Sequence, residues 1–257
     1  MVPHSIESLA ITGATAGAIT ATFSYVTFGP RCGIWGPVVF RGATTGAPTV
    51  ALTFDDGPLP GSTERVLDVL AELEVKAAFF VIGRRAREHP DLLRRIHHEG
   101  HLIGNHSFNH RGLGFLGGVR YWRSQLERTD AAIEAAVGLR PRLFRPPLGI
   151  KTPAIVRAAA GRTIVTWTRR GFDGVSTNPR RILRRLVPHA RPGDILALHD
   201  GLSPQSRRNP TQTIDALRPL IDGLRARNLR FARLDDLIGS TSQTLGSFRS
   251  HHSTPVD

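Results

Sequence analysis

The sequence is poor in cysteine and in lysine. Its 257 residues include one cysteine, Cys32, and two lysines, Lys76 and Lys151. A single cysteine excludes an intrachain disulfide, a cysteine-based zinc finger and an iron–sulfur cluster. Any metal ion bound by this chain must therefore be held by histidine and carboxylate side chains. The contents of 40% hydrophobic and 21% charged residues are near globular norms and argue against a disordered or fibrous chain.

Acidic residues are few relative to basic ones. The chain has 21 Asp and Glu against 34 Lys and Arg, which gives a formal net charge of +13. A pI near 11.5 makes nucleic acid, anionic lipid and acidic cell-wall polymers the partners to consider. The basic residues are spread through helical segments, in pairs such as Arg184 and Arg185, without a zinc-finger, basic-zipper or RNA-recognition signature. We interpret them as a solvated surface and do not expect a nucleic-acid partner.

Charge is nearly absent from residues 6–28, where Glu7 is the single charged residue. This mostly apolar stretch is long enough to cross a bilayer, which requires ~20 residues. Eight Ser or Thr between Ser5 and Thr27 lower its hydropathy, and no Lys or Arg precedes it as in a signal peptide. A disordered leader is one interpretation, and we favour a membrane anchor or export segment. This predicts a membrane-associated or exported protein of the cell envelope, with a cytoplasmic location as the alternative.

From residue 50 onward, apolar runs typical of strands alternate with amphipathic segments typical of helices. The predicted strands are residues 50–54, 77–82, 101–106, 143–145, 163–167, 194–199 and 230–234. The predicted helices are residues 64–74, 91–99, 119–137, 152–160, 179–189 and 211–227. This alternation predicts an α/β fold with a mainly parallel sheet covered by helices. We divide the chain into a hydrophobic leader with a Gly/Pro-rich linker (residues 1–47), one domain (residues 48–240) and a disordered tail (residues 241–257).

Polar side chains follow five of the predicted strands at the points where the strands end. They are Asp55 and Asp56, His106 and His110, Arg145, Asp173 and His199. In parallel α/β folds, ligands bind where the carboxyl ends of the strands open into loops. We therefore expect these side chains to lie in one site.

Asp56, His106 and His110 form a two-histidine, one-carboxylate set. The i, i+4 spacing of the histidines suits a metal held from a helical turn or a tight loop. Three protein ligands leave a coordination position for water. These donors suit Zn²⁺, with Co²⁺, Mn²⁺, Fe²⁺ or Ni²⁺ as alternatives. Taken separately, an Asp-Gly-Pro turn and a histidine pair are also ordinary surface features.

The remaining residues at the strand ends suit amide hydrolysis. A divalent cation beside them would lower the pKa of bound water enough to supply hydroxide near neutral pH. We expect Asp55 to act as the general base and His199 as the general acid for the leaving nitrogen. Arg145 would hold the base in position, and Asp173 would orient His199 and support its cationic form. The plainer interpretations are a surface salt bridge for Arg145 and a turn residue for Asp173.

These motifs resemble those of the polysaccharide deacetylase family, the metal-dependent sugar N-deacetylases of chitin, chitooligosaccharides and peptidoglycan. They occur in family order as residues 53–58 (TFDDGP), residues 106–110 (HSFNH), residues 145–147 (RPP), Asp173 and residues 196–199 (LALH). The resemblance implies a distorted (β/α)7 barrel with parallel strands. It implies the same base, acid and metal ligands as above. It also implies release of acetate from an N-acetylated sugar, with a backbone N–H helping to hold the oxyanion.

Two positions depart from the family pattern. Leu148 stands where a tyrosine often follows the proline pair, and its backbone N–H can still serve the oxyanion. Gly174 stands where a tryptophan often follows the acidic residue, which removes an aromatic wall and puts the identity of the sugar in question. We expect Pro146, Pro147 and Leu198 to line the substrate pocket, with a position in the core of the strand as the plainer interpretation for Leu198.

The leading hypothesis is a metal-dependent hydrolase that removes N-acetyl groups from a sugar or polysaccharide of a bacterial cell envelope. One alternative is a deformylase or deacylase of a lipid-linked amino sugar, which the hydrophobic leader and the missing tryptophan make conceivable. Another is a non-catalytic polysaccharide- or nucleic-acid-binding protein. The complete set of catalytic residue types argues against such a decayed site.

Overall fold

A computed structural model describes residues 24–44, 46–203 and 211–239, together with the backbone of Gln243–Leu245. Most of the predicted leader and most of the predicted tail lie outside these residues. Residues 24–28, at the end of the leader, are helical. None of the helices in the described part of the chain combines the length and the hydropathy needed to cross a membrane.

Most strands of the structure belong to one parallel sheet. The strands are β1 Thr49–Asp55, β2 Ala77–Val81, β3 Leu102–Asn105, β4 Leu139–Pro141, β5 Leu143–Phe144, β6 Thr163–Ile164, β7 Arg169–Arg170, β8 Ile195–His199, β9 Arg230–Phe231 and β10 Gln243–Leu245. Eight of them form a sheet in the order β6-β5-β3-β2-β1-β8-β7, with β9 beside the start of β1. Every pairing in this sheet is parallel. β4 and β10 form a separate antiparallel pair.

Six of the eight helices named below follow the predicted amphipathic segments. They are α1 Thr63–Glu72, α2 Gly83–Glu88, α3 Pro90–His98, α4 Val119–Val137, α5 Pro153–Ala158, α6 Pro179–Leu186, α7 Thr211–Arg225 and α8 Leu234–Ile238. α6 begins at an N-cap, because Asn178 Oδ1 accepts a hydrogen bond from the Arg180 N–H at 3.0 Å. α4 buries Trp122, Leu126 and Ile133 along one stripe, as their three- and four-residue spacing predicts.

The sheet curls so that one face carries helices and the other encloses an interior. Along β1, Leu52 and Phe54 pack in the large cluster beneath the helices, whereas Ala51 belongs to the interior cluster. Since side chains alternate along a strand, Thr53 and Asp55 share the interior face with Ala51. This is the distorted barrel of parallel strands that the sequence predicts, and its interior face leads directly to the strand ends.

Two residues of the predicted linker pair with residues that adjoin strands β6 and β8 of the curled sheet. Val39 pairs with Val165, just beyond β6, and Arg41 pairs with Asp194, just before β8. An ion pair of 2.7 Å between Arg41 and Asp194 supports the second bridge. α8 packs into the interior cluster between these strands. Arg41 thus pairs at the amino end of β8, whereas the carboxyl ends of β1 and β8 carry Asp55 and His199.

Some elements differ from the prediction. The predicted strand at residues 230–234 ends at Phe231, and Leu234 instead begins α8, whose first turn contains two aspartates that favour a helix N-terminus. β7 and α2 are not predicted, because neither contains an apolar run or an amphipathic stripe long enough to detect. Within the segment predicted as a disordered tail, the structure describes only β10.

Candidate metal centre and catalytic cavity

The end of β1 sends its two aspartates in different directions. Asp55 continues the interior face of the strand, whereas Asp56 has a left-handed backbone with φ of 74°. A Cβ at Gly57 would lie 2.0 Å from Asp200 Oδ2, so the close packing of this turn requires glycine. Asp55 and Asp56 are both buried, each 4% exposed. The two adjacent carboxylates therefore have different surroundings.

His106 and His110 lie on a loop after β3 rather than on a helical turn. Ser107 and His110 have left-handed φ angles of 68° and 47°, and Asn105 Oδ1 accepts the Ser107 N–H at 2.8 Å. Gln125 on α4 holds the loop, because its Oε1 accepts two backbone N–H groups of the loop at 3.1 and 2.9 Å. Gln125 is not predicted from the sequence, since a polar residue on an amphipathic helix is ordinarily expected to face solvent.

The structure brings Asp56, His106 and His110 together. Asp56 Oδ1 lies 3.5 Å from His106 Nε2 and 3.3 Å from His110 Nε2. One ligand atom from each residue lies within 4.8 Å of the other two, and all three residues are buried. Asp56 Oδ1 has no hydrogen-bond partner among the described residues. A buried carboxylate oxygen between two imidazoles fits a divalent cation, which would offset the cost of burying that oxygen.

Hydrogen bonding and burial favour the protonation states that bind a metal. His106 Nδ1 lies 2.7 Å from the Arg145 carbonyl oxygen, so Nδ1 carries the proton and Nε2 remains for a cation. Burial alone would raise the pKa of Asp56, but His110 and His106 lower that pKa to a greater extent. Burial lowers the pKa of His110, although Asp56 opposes the shift. An ionised carboxylate and neutral imidazoles are the ligand forms that metal binding requires.

The guanidinium of Arg145 is fully buried and holds Asp55. Its Nη1 donates to Asp55 Oδ1 at 2.7 Å and to Thr53 Oγ1 at 2.8 Å. Its Nη2 donates to the Thr166 carbonyl at 2.9 Å, and its Cζ lies 4.0 Å from the Phe80 ring centroid. Burial lowers the pKa of Arg145 and Asp55 opposes this, but arginine stays charged in proteins. The ion pair is part of the barrel interior and not a surface salt bridge.

His199 at the end of β8 is paired with Asp173 from the loop after β7. Its Nδ1 lies 3.0 Å from Asp173 Oδ1, and its backbone N–H donates to Oδ2 at 2.7 Å. Burial alone would lower the pKa of His199, but the charge and hydrogen bond of Asp173 raise it to about 10. His199 is therefore a cation at neutral pH.

Two further side chains hold Asp173. Thr213 Oγ1 donates to Asp173 Oδ2 at 2.7 Å, and Gln212 Nε2 donates to the Asp173 carbonyl at 2.6 Å. Both residues lie in the first turn of α7 and are buried. Neither residue is predicted from the sequence, because Thr and Gln at the start of a helix carry no signal beyond that of an ordinary helix terminus.

The metal-ligand cluster, Asp55 and His199 line one cavity of about 210 Å³ at the carboxyl ends of the strands. Its lining is Asp55, Asp56, His106, His110, Leu148, Trp167, Arg170, Phe172, Gly174, Val175, Ala197, His199, Leu202 and Ser203. Trp167 and Phe172 provide aromatic surface in this lining, to which Gly174 adds no side chain. Neither aromatic residue is predicted from the sequence, although Trp167 ends a predicted strand.

The predicted pocket residues Pro146, Pro147 and Leu198 are absent from the lining that the described residues form. The pocket position predicted for Leu198 is wrong, because alternation along β8 turns Leu198 to the outer cluster and leaves Ala197 in the cavity. The two prolines are buried beside Leu148, which has a φ of 57° and a side chain that is 56% exposed. Leu148 is the residue through which this loop reaches the cavity.

Comparison with known proteins points to one family. Residues 42–165 match the family model described as polysaccharide deacetylase. A chitooligosaccharide deacetylase of Sinorhizobium fredii is 40% identical over 190 residues, which are 71% of this chain and 88% of that protein. A peptidoglycan-N-acetylglucosamine deacetylase of Bacillus cereus is 31% identical over 196 residues, 76% of this chain and 70% of that protein. The crystal structure of a peptidoglycan N-acetylglucosamine deacetylase aligns with a TM-score of 0.73 at 28% identity, covering 85% of this chain and 97% of that one.

The fold and the site define a metal-dependent hydrolase built on a parallel α/β barrel. The chain belongs to the polysaccharide deacetylase family. It is a carbohydrate deacetylase, which hydrolyses N-acetyl amide bonds, and the Asp56, His106 and His110 cluster fits the metal on which that family depends.

Proposed function

We propose that this protein removes acetyl groups from N-acetylglucosamine units of a cell-envelope glycan. Its relatives are named for activity on chitooligosaccharides and on the N-acetylglucosamine of peptidoglycan, and both substrates contain such units. The observation that carries the proposal is that the Asp56, His106 and His110 cluster shares one cavity with Asp55, which is paired with Arg145, and with His199, which is paired with Asp173. Acetate and a free amine would be the products.

Zn²⁺ is the proposed metal, held by Asp56, His106 and His110. Two imidazoles and one carboxylate are a zinc ligand set of catalytic type, in which a position is left for water. Co²⁺, Mn²⁺, Fe²⁺ and Ni²⁺ accept similar donors and are the alternatives. When bound, such an ion supplies Lewis acidity, which polarises an amide carbonyl and acidifies water.

Asp55 is the proposed general base. One of its oxygens, Oδ1, accepts the hydrogen bond from Arg145. The other oxygen accepts no hydrogen bond within the described residues and is available to take a proton from water. Arg145 thus acts as a positioning residue that orients the carboxylate by a charge-assisted hydrogen bond inside the barrel.

His199 is the proposed general acid. Its Nδ1 is engaged by Asp173, so Nε2 is the nitrogen that can donate a proton to the departing amine. The raised pKa of His199, about 10, keeps that proton in place at neutral pH. The proton that Asp55 accepts and the proton that His199 donates together account for hydrolysis of one amide bond.

Leu148 is the proposed backbone donor to the oxyanion. Its left-handed backbone places it at the cavity, and a backbone N–H needs no particular side chain to serve this role. The apolar surface of Trp167 and Leu202 would receive the acetyl methyl group.

The test is acetate release from N-acetylated oligosaccharides, measured together with metal content. Asp55→Asn should lower turnover by about 100-fold or more, because it removes the base, and should leave the metal content unchanged, because it removes no ligand. Asp222→Asn, which alters an exposed aspartate of α7, is the matched control. Activity that survives both chelation and Asp55→Asn would contradict the proposed chemistry.

A membrane-associated or exported location in the cell envelope is part of this proposal. Apolar side chains at the end of the leader support it, since Tyr25 is 65% and Phe28 48% exposed. Phe28 contacts Phe115 edge-on, with the two ring centroids 6.0 Å apart. The segment around Phe115 also exposes Leu113 and Leu116. Fractionation of cells should place the full chain with the envelope, and deletion of residues 1–23 should release it. A soluble full chain would contradict membrane association.

Hydrolysis of a lipid-linked amino sugar is the second candidate function. Leu148 and Val175 favour it, because both line the cavity and are 56% and 70% exposed. Comparing turnover of a lipid-carried N-acyl sugar with that of a soluble oligosaccharide separates the two candidates.

A further inference from the structure

Arg170 is the single arginine or lysine among the described residues that line the catalytic cavity. It lies on β7, and its Cζ is 3.9 Å from the ring centroid of Phe172 and 5.9 Å from that of Trp167. Stacking on aromatic faces positions a guanidinium without using its five N–H donors. Within the described part of the chain these donors have no hydrogen-bond acceptor, so they are available to a ligand in the cavity.

Arg185 of α6 contacts the same aromatic ring. Its Cζ lies 4.4 Å from the centroid of Phe172. No carboxylate of the described residues pairs with either Arg170 or Arg185. Burial and the neighbouring charge of Arg185 lower the pKa of Arg170. Two cations held close together without a counter-charge repel each other, and a bound anion would relieve that repulsion.

Other arginines of the described residues form ion pairs with buried aspartates. Arg169, which precedes Arg170 on β7, donates to Asp194 at 2.9 Å. Arg162 pairs with the buried Asp130 at 2.6 Å. Neighbouring residues of β7 thus differ: Arg169 completes a network with Asp194, whereas Arg170 enters the cavity without a counter-charge.

We propose that Arg170 and Arg185, positioned by Phe172, form a subsite for an anionic group of the glycan, next to the sugar that is deacetylated. This inference rests on the proposed function, because it places the subsite beside the hydrolysed N-acetyl group. The ligand is a carboxylate or phosphate group, since both accept paired N–H donors from a guanidinium. A carboxylate would come from an acidic sugar of the chain, and a phosphate from a phosphorylated or lipid-carried sugar.

The positive surface continues from this subsite along α6. Arg181 and Arg184 line a shallow depression together with Arg185, and all three are exposed. A row of cations that leads away from the cavity attracts an extended anionic chain more strongly than an isolated small anion. The subsite therefore favours a polymer that carries negative charge at intervals.

The test measures selectivity among oligosaccharides of equal length. One has N-acetylglucosamine units alternating with carboxylated N-acetyl sugars, and its neutral match is the same chain with the carboxyl groups reduced to alcohols. A third carries phosphate in place of carboxylate. Affinity is measured by calorimetry on the Asp55→Asn protein, and acetate release is measured on the protein with Asp55 intact.

The subsite predicts that the carboxylated or the phosphorylated chain binds about tenfold more tightly than the neutral chain, which is about 1.4 kcal/mol, because charge-assisted hydrogen bonds from a guanidinium are stronger than those to an alcohol. R170Q should lower this ratio of affinities about tenfold, and R185Q about threefold. Phe172→Leu keeps both arginines and removes the ring that positions them, so it should lower the ratio to an intermediate extent. R123Q, at an exposed arginine of α4 outside the cavity, should leave the ratio unchanged.

Each outcome decides the proposal. Stronger binding of the carboxylated chain, or of the phosphorylated chain, supports the subsite and identifies the source of the anion. Equal affinity for charged and neutral chains overturns it, as does a preference that R170Q preserves. An equal effect of R123Q also overturns it, because attraction would then follow net charge alone. Selective binding without acetate release from any chain would contradict the proposed function and support the subsite.

Discussion

The catalytic floor and the aromatic wall of the cavity are built differently. The catalytic floor consists of Asp55, Asp56, His106, His110 and His199, which lie at strand ends or directly after them and have buried partners. The aromatic wall, residues 167–175, includes an arginine without a counter-charge and a valine that is 70% exposed. Chemistry requires groups held at defined distances, which packed strands provide, whereas substrate recognition can be varied in a connecting segment without disturbing them.

Loss of Arg145 should damage the catalytic floor most. Arg145→Met leaves Asp55 buried without its cation, so we expect about 3–5 kcal/mol less free energy of unfolding and no detectable acetate release. Urea unfolding and acetate assays measure both effects. Arg41→Gln is the control, because that arginine is 37% exposed in its pair with Asp194 and should contribute at most about 1 kcal/mol. Equal losses in the two variants would contradict the structural role of the buried pair.

Asp173→Asn should change the pH dependence of the enzyme. Burial alone would lower the pKa of His199, but Asp173, with smaller contributions from Asp56 and Asp55, raises it from 6.5 to about 10, so folding favours the charged imidazole. The resulting stabilisation is full below pH 6.5 and is lost as the pH rises through about 10. Without the charge of Asp173, stability at neutral pH should fall, and the alkaline limb of kcat/KM should move to lower pH. At about pH 8 we expect roughly a tenfold lower kcat/KM.

Unfolding curves and rate profiles across pH test this prediction, with Asp222→Asn as the control. An alkaline limb that stays in place would exclude His199 as the general acid.

Thr213→Val should have a moderate effect on the catalytic floor. It removes the hydroxyl that donates to Asp173 Oδ2 at 2.7 Å, in a buried position. We expect a loss of about 1–2 kcal/mol in unfolding free energy and a several-fold lower kcat, because Asp173 then orients His199 less firmly. Thr177→Val, at an exposed threonine, is the matched control. Identical kcat in both variants would restrict Thr213 to a role in stability.

Gly174→Trp alters the aromatic wall and should have the smallest effect on activity among these variants. A Cβ at this position would lie 3.6 Å from His199 Cε1, which is ordinary contact, so the backbone can accept a side chain. An added ring should lower KM for a neutral oligosaccharide about fivefold, with kcat changed less than about twofold. Gly174→Ala adds the Cβ without the ring and should leave KM unchanged. A collapse of kcat in either variant would show that the aromatic wall and the catalytic floor are not separable.

Much of the catalytic floor is predictable because its signals are local. An apolar run that ends in Asp55 and Asp56, and another that ends in His106, place polar groups at strand ends without any knowledge of the sheet order. The assignment of Leu198 to the pocket fails for a related reason: alternation puts it on one face of β8, but only the curvature of the sheet decides which face is the interior. Gln125 is missed because its partners are backbone groups of a distant loop.

The sequence by itself determined the alternation of strands and helices, the order of the motifs and the ligand types that a metal could use, because each depends on residues close together in the chain. Only the tertiary structure decided which groups pair. Arg145 reaches Thr53 across 92 positions of sequence, and Thr213 reaches Asp173 across 40. Burial and charge pairing depend on distances between such remote residues, and so the partners of His199 and the unpaired state of Arg170 became visible only in the folded chain.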